Sequence, residues 1–425
     1  MALQEDRNIS RITIVGGGTS GYLAAFYFAK NYPDKQITWI FPKVNDPIGV
    51  GEALVPKSSH FLRDIGINHT DILKFCNGTL KLGIVFDGFN RPGERFSFPF
   101  GIGEGSKHNT ASIDRIINTE RIPSNMLDYP DIATHFRTTE LAEYLDTRIG
   151  EYPNLTVIRD TATKESIAGT YDLLIDSTGF GRHVSKLPDN FEDFSHIIPN
   201  NRALTTRIKY TNRAKQCKPY SLFKAMNSGW CWHIPLGDRL AFGYVHSNKF
   251  DVREEFTKHV ADYMEMDAQD VEVNVVNFIT GRNKVHLKDN VVPIGLASAF
   301  IEPLESTGIY LIVSSIEKIG QYIDGKVSAD EYNQQVNNNF DAIVNFIAAH
   351  YKYSNRNNEY WNHFKDLKIE QYKETDIFPI EAWQYILSGF SLAEAPKENI
   401  DPHELINIHK GTPYHQWIQD ASNFT

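Results

Sequence analysis

Apolar residues open this chain in a short compact run and govern its last third with a helical period. Arg11-Ile12-Thr13-Ile14-Val15 reads as a buried strand, glycines follow, and Tyr22 to Lys30 reads as an apolar helix. Ile37-Thr38-Trp39-Ile40-Phe41 is then a second strand, completing a βαβ unit. Residues 42–110 mix glycine, proline and aromatics without a sustained period and read as irregular substructure. Phe136 to Gly150 predicts a helix, and Tyr171 to Asp176 another strand. Strand-like runs then dominate: Ala203 to Tyr210, Trp230 to Leu236 and Arg239 to His246. Asn290 to Gly295 reads as a return to the first sheet. After Ser306, Ile309, Ile312, Val313, Ile316, Ile319 and Ile323 follow an i, i+3, i+4, i+7 pattern, with Gly325 as a natural stop. Beyond it the chain reads as mostly helical, with Trp361, Trp383 and Trp417 to bury. These patterns predict an α/β core over 1–190, an antiparallel insert over 191–285, a return to the core over 286–325 and a helical region over 326–425.

Composition adds mainly exclusions. A chain of 425 residues with 41% apolar and 23% charged residues is that of an ordinary globular protein. The formal charge of -10, with no basic stripe, argues against nucleic acid as a partner. Three cysteines, Cys76, Cys217 and Cys231, are odd in number and widely spread, which fits a reducing compartment and not a disulfide framework. No cysteine pair has metal-ligand spacing. His403-Glu404-Leu405-Ile406-Asn407 misses HExxH because the next histidine falls at 409, so no metal is expected. Cys231 reads as a packed thiol, and His135 reads equally as structural or pocket-lining. No apolar run approaches the roughly 18 residues that span a bilayer, and the polar start does not resemble a signal peptide. A cytoplasmic location, off the membrane, is expected, and a homo-oligomer is compatible with it.

Gly16-x-Gly18-x-x-Gly21 lies between the first strand and the first helix, the context that makes this spacing informative. Gly16 permits the turn, Gly18 lets backbone approach a pyrophosphate, and Gly21 lets helix and strand pack. Thr19 and Ser20 open a helix whose free N–H groups favour an anion. The acidic residue usual about 20 positions on is missing. Phe41-Pro42 stands there, with Lys43 and Asp46 nearby. A glycine turn without a ligand is the alternative.

Gly229-Trp230-Cys231-Trp232-His233-Ile234-Pro235 places two of the six tryptophans two residues apart. Strand alternation puts Trp230, Trp232 and Ile234 on one face and Cys231 and His233 on the other. Paired core tryptophans would suffice to explain this alone. With the glycine loop, however, Trp230-x-Trp232-x-Ile234-Pro235 resembles the WxWxIP signature of flavin-dependent halogenases of the tryptophan halogenase family. Gly49-Val50-Gly51-Glu52-Ala53-Leu54-Val55-Pro56 and Pro303-Leu304-Glu305-Ser306-Thr307-Gly308 are similar to two further motifs of that family.

The resemblance implies a Rossmann-like FAD-binding fold of the flavoprotein monooxygenase type (GR2 class), with an antiparallel insertion and a helical C-terminal region. Gly51, Ala53, Asp176 and Gly295 would join Gly16, Gly18, Thr19, Ser20 and Gly21 in holding FAD. By the same resemblance Lys81 is the active-site lysine, holding the oxidant by hydrogen bond or as an N-haloamine. Glu305 is its catalytic partner, and the segment at Thr307 and Gly308 binds halide. Phe98 and Phe100 would line the substrate side. Phe98 stands where the family commonly has histidine, which makes that wall more apolar. Oxygen, a halide and FADH2 from a separate flavin reductase are implied, as is an electron-rich aromatic substrate such as an indole or phenol. A flavin-dependent aromatic hydroxylase is the competing reading, and a flavin binder without catalysis a third.

Overall fold

The computed structural model describes residues 8–42, 52–101, 110–129, 131–396 and 400–421. Arg11–Val15 forms the centre of a five-stranded sheet in the order Val291–Pro293, Leu173–Asp176, Arg11–Val15, Gln36–Ile40, Leu155–Ile158. Every pairing in it is parallel. The helices Thr19–Asn31 and Gly308–Ile323 share its core, with Leu23 and Phe26 meeting Val313, Ile316 and Ile319 around Ile12, Ile14 and Trp39. The predicted return after residue 286 is thus the edge strand Val291–Pro293. The predicted helix stop is Gly325, at φ 69°.

The second sheet has seven strands, and here the pattern reading needs correction. Its order is Asn274–Asn277, Arg202–Lys209, Arg239–His246, Gly229–Pro235, Ser221–Met226, Gly83–Asp87, Arg95–Pro99. The last two strands come from the stretch read as irregular, and Gly83–Asp87 pairs parallel with Ser221–Met226. Gly83-Ile84-Val85-Phe86-Asp87 is buried throughout, with Ile84 and Phe86 in one apolar cluster and Val85 in another. A strand covered on both faces shows no alternation to read. The predicted helix from Phe136 is also shorter: Ala133–Phe136 is a strand and the helix spans Thr138–Asp146.

The tail closes over one face of this sheet. Its long helix Ala329–Lys352 starts at a capping box in which Ser328 and Glu331 satisfy each other's backbone N–H groups. Phe340, Phe346, Trp361 and Trp383 pack in one cluster with Trp230 and Trp232. Trp361 donates to the Met226 carbonyl at 2.9 Å. The opposite face is covered by the helix Arg253–Met264, whose Phe256 and Val260 meet Cys231, Phe242 and Tyr244. Among the described residues no helix is long and apolar enough to cross a membrane.

Candidate active site

A cavity of about 900 Å³ is lined from both sheets. That lies at the upper end of the roughly 300–1,000 Å³ typical of small-molecule sites. The glycine loop forms one wall. Gly16 sits at φ 121°, and a Cβ there would overlap the Ser177 carbonyl. A Cβ on Gly21 would overlap the Gly16 carbonyl, whereas Gly18 faces open space and lines the cavity with Thr19 and Ser20. Gly16 and Gly21 therefore serve the turn and the close helix–strand packing their spacing predicts, and Gly18 leaves open space at the cavity. Ser177, Thr178 and Gly179 on the next strand's loop, Gly295 on the edge strand's loop, and Glu52 and Ala53 complete this side. Gly51 lies outside the described residues, as do Lys43 and Asp46.

Asp176 does not face the cavity. Its Oδ1 accepts from the Thr178 N–H and hydroxyl at 2.9 and 2.6 Å, and its Oδ2 from the Ser185 N–H and hydroxyl at 2.9 and 2.6 Å. It braces the loop that carries Thr178 and Gly179. Phe41 does line the cavity, with the Arg159 guanidinium 4.2 Å from its ring centroid. The adjacent strand Leu155–Ile158 runs on into Thr163, Lys164 and Glu165, which line the same cavity. Glu165, invisible to the usual spacing, is with Glu52 one of two acidic residues among the described residues that line the cavity.

The opposite wall carries the tryptophan motif. Trp232 and Ile234 line the cavity, while Trp230 stands behind, 4.8 Å from Phe223 and 6.0 Å from Trp232 between ring centroids. Gly243 pairs across from Trp232, and any Cβ there would overlap the indole. The Pro235 carbonyl accepts from the Thr79 hydroxyl at 2.6 Å, tying this strand to Thr79–Lys81. That bond also settles His135. Since Thr79 spends its proton on Pro235, His135 Nδ1–H donates to Thr79 Oγ1 at 2.9 Å, and Nε2 accepts from Ser221 at 2.9 Å. His135 is fully buried and neutral, its pKa held well below the usual histidine range by burial and by nearby Lys81. It is structural.

Lys81 ends the short strand Thr79–Lys81 and is fully buried. Its Nζ donates to the Leu54 carbonyl at 2.9 Å and lies 5.3 Å from the Phe100 ring centroid. Burial pulls its pKa from 10.5 down to about 7, against the opposing attraction of Glu305. Glu305 sits in the turn Leu304–Ser306 at φ 71°, followed by Ser306 at φ 58°. Two left-handed residues in succession are strained for side chains other than glycine. They turn Pro303, Ser306 and Gly308 toward the cavity and bury Glu305 on the other side. The helix itself starts at Gly308, so Glu305 is not a residue of its first turn. Thr307 is fully buried and its hydroxyl has no partner among the described residues.

The side occupied by Lys81 and Glu305 is aromatic, and much of it comes from the tail. His350 Nε2 lies 2.8 Å from Glu305 Oε1, off the line of a hydrogen bond, while His350 Nδ1 donates to the Phe346 carbonyl at 3.0 Å. Phe86 and Phe390 flank that imidazole at 5.1 and 6.3 Å. Phe98 meets Phe346 at 6.4 Å, and Phe346 meets Trp383 at 5.0 Å. Residues 346, 350, 383 and 390 carry no motif, and of the four only Trp383 was marked in the sequence, as a ring to bury. Glu302, three residues before Glu305, is fully buried too. It accepts from Asn200 at 2.7 Å and from the Tyr351 hydroxyl, and burial pushes its pKa up to about 7. Glu52, half-buried at the cavity wall, is likewise raised to about 7 by burial.

Comparison with known proteins places the fold and the family. The chain is 28% identical to tryptophan 6-halogenase ThaL of Streptomyces albogriseolus, over 86% of this chain and 80% of that protein. The solved tryptophan halogenase of Shewanella frigidimarina NCIMB 400 superposes with a TM-score of 0.83 at 20% identity, over 99% of this chain and 98% of that one. BrvH, a flavin-dependent halogenase from Brevundimonas sp. BAL3, superposes with a TM-score of 0.74 at 23% identity, over 98% and 96%. The profile of the family described as tryptophan halogenase matches residues 11–130 and 156–390, so the likeness extends into the tail well past the motif blocks. This chain belongs to the tryptophan halogenase family.

Proposed function

We propose that this chain is a flavin-dependent halogenase that installs halogen on an electron-rich aromatic such as an indole or phenol. One observation carries the reading: a single strained segment, 303–308, faces a dinucleotide-sized cavity on one side and buries Glu305 near Lys81 on the other. FAD fits the cavity wall, because Gly18 leaves the space a pyrophosphate needs beside a helix N-terminus. Gly16, Gly18, Thr19, Ser20, Gly21, Ala53 and Gly295 are its proposed contacts, with Glu165 in place of the absent acid at 41. Held there in its reduced form, supplied by a separate reductase, FAD would furnish the two electrons that, with O2, halide and a proton, yield hypohalous acid and water. Thr307 and Gly308 hold halide through backbone donors at the start of the helix.

Lys81 then does the discriminating work. Its pKa near 7 keeps both protonation states available. The ammonium donates a hydrogen bond to the oxidant, and the free amine takes halogen from hypohalous acid as a haloamine, its proton leaving with the hydroxide as water. Glu305 takes the proton released by the attacked ring carbon. The indole of Trp232 and the branched side chain of Ile234 at the cavity wall support halogenation over direct hydroxylation, because they keep an organic substrate from the flavin. Incubation with a flavin reductase, NADH, FAD and bromide, read by mass spectrometry on indoles and phenols, tests the reading. Brominated product supports it, whereas oxygenated product without halogen makes the chain a hydroxylase.

A further inference from the structure

The strand Gly229–Pro235 has a second face that the reaction does not use. Trp232 and Ile234 face the cavity, whereas Cys231 and His233 point toward the helix Arg253–Met264, which brings in His259. His233 Nε2 and His259 Nε2 lie 2.8 Å apart, and the ligand atoms of Cys231, His233 and His259 all lie within 4.8 Å of one another. Cys231 and His233 are buried and His259 is partly so. Among the described residues the buried Nδ1 of His233 has no hydrogen-bond partner, so this ring's polar contact is the one with His259. We propose that Cys231, His233 and His259 bind one thiophilic transition-metal ion of the zinc class, which clamps the helix Arg253–Met264 to the strand forming the back of the cavity.

The donor set is the warrant. One thiol and two imidazoles are borderline-soft ligands, suited to zinc and unsuited to magnesium or calcium. Zinc–nitrogen bonds of about 2.0–2.1 Å in a tetrahedral site put the two nitrogens roughly 3.3 Å apart. The rings must therefore part by about half an ångström, which rotation of the partly exposed His259 permits. Solvent supplies the fourth ligand. Burial keeps both imidazoles neutral, helped by His259, Lys224 and Arg95 at His233 and by Lys224 at His259, leaving lone pairs for a metal. Those cations oppose an incoming ion, but Asp87 pairs with Arg95 at 2.6 Å and with Lys224 at 3.5 Å, offsetting them. Asp87 and Asp262 also favour positive charge at His259, and Glu255 lies close enough to act on Cys231. The Cys231 thiol gives its proton to solvent on binding. Affinity therefore rises about tenfold per pH unit while the free thiol stays protonated.

The test uses the full chain with FAD, freed of any purification tag, stripped with a chelator and titrated with Co2+ and then Zn2+. One equivalent of Co2+ should give tetrahedral visible bands and a thiolate charge-transfer band, both displaced by Zn2+, and Zn2+ should raise Tm by several degrees. His259→Gln should abolish the bands while FAD binding persists. Cys231→Ser should remove only the charge-transfer band and weaken the affinity. His259→Gln changes a partly exposed helix position, so it reports even where Cys231→Ser does not fold. A wild-type chain that shows no cobalt bands and no Tm shift overturns the proposal and leaves a neutral histidine pair. Binding unchanged in His259→Gln overturns it as well, by placing the metal elsewhere.

Discussion

Lys81 sets the sharpest expectations at the scale of single residues. Lys81→Ala should abolish halogenated product while FADH2 oxidation and release of free hypohalous acid continue. Trapping that acid with a colorimetric thiol alongside product analysis checks both halves, and full product yield would rule out delivery by Lys81. The same burial makes a stability prediction. The folded pKa near 7 lies below the ordinary 10.5, so between those values the unfolded chain binds more protons. Stability then rises with pH across that window, and the cost of burying Lys81 is fully present below about 7. Lys81→Met should therefore stabilise the protein at pH 6 and lose that advantage as pH approaches 10, followed by chemical melts at each pH. Glu305→Gln should slow turnover by ~10², the scale of a lost general base, with flavin oxidation unchanged in stopped flow. The motif context marked Lys81 and Glu305. Nothing local marked His350, because its closeness to Glu305 depends on a helix that starts at Ala329.

Elements position these residues by close approach. The strand Arg239–His246 leaves room for Trp232 only through Gly243. Gly243→Ala should push the indole into the cavity and cost about 1–3 kcal/mol, as overpacking does. Weaker FAD binding by fluorescence titration, together with a lower Tm, is the expected pair, and unchanged FAD affinity would separate the indole from the cofactor wall. The glycine loop and the helix Gly308–Ile323 were legible because each has a local cause, a required turn and a 3.6-residue period. The strands Gly83–Asp87 and Arg95–Pro99 were not, because burial on both faces leaves no alternation in the first of them.

Across the whole molecule the tail completes the site. Trp383 is fully buried against Phe346 and donates to the Lys373 carbonyl at 3.0 Å. Trp383→Ala should cost about 3–5 kcal/mol. By opening the aromatic side it should also widen acceptance toward bulkier indoles and phenols, measured by competition on a substrate panel with each halide in turn. An unchanged panel would place the substrate elsewhere. The sequence by itself determined the glycine loop, the tryptophan strand and the long apolar helix, because each rests on neighbours within a few residues, whereas the lysine and glutamate segments were marked by resemblance to family motifs. Only the tertiary structure decided that Asp176 braces a loop, that Glu165 reaches the cavity, that His350 backs Glu305 and that His259 meets Cys231 and His233. Those relations join segments up to hundreds of residues apart, and no local propensity encodes which side chains a packed core brings together.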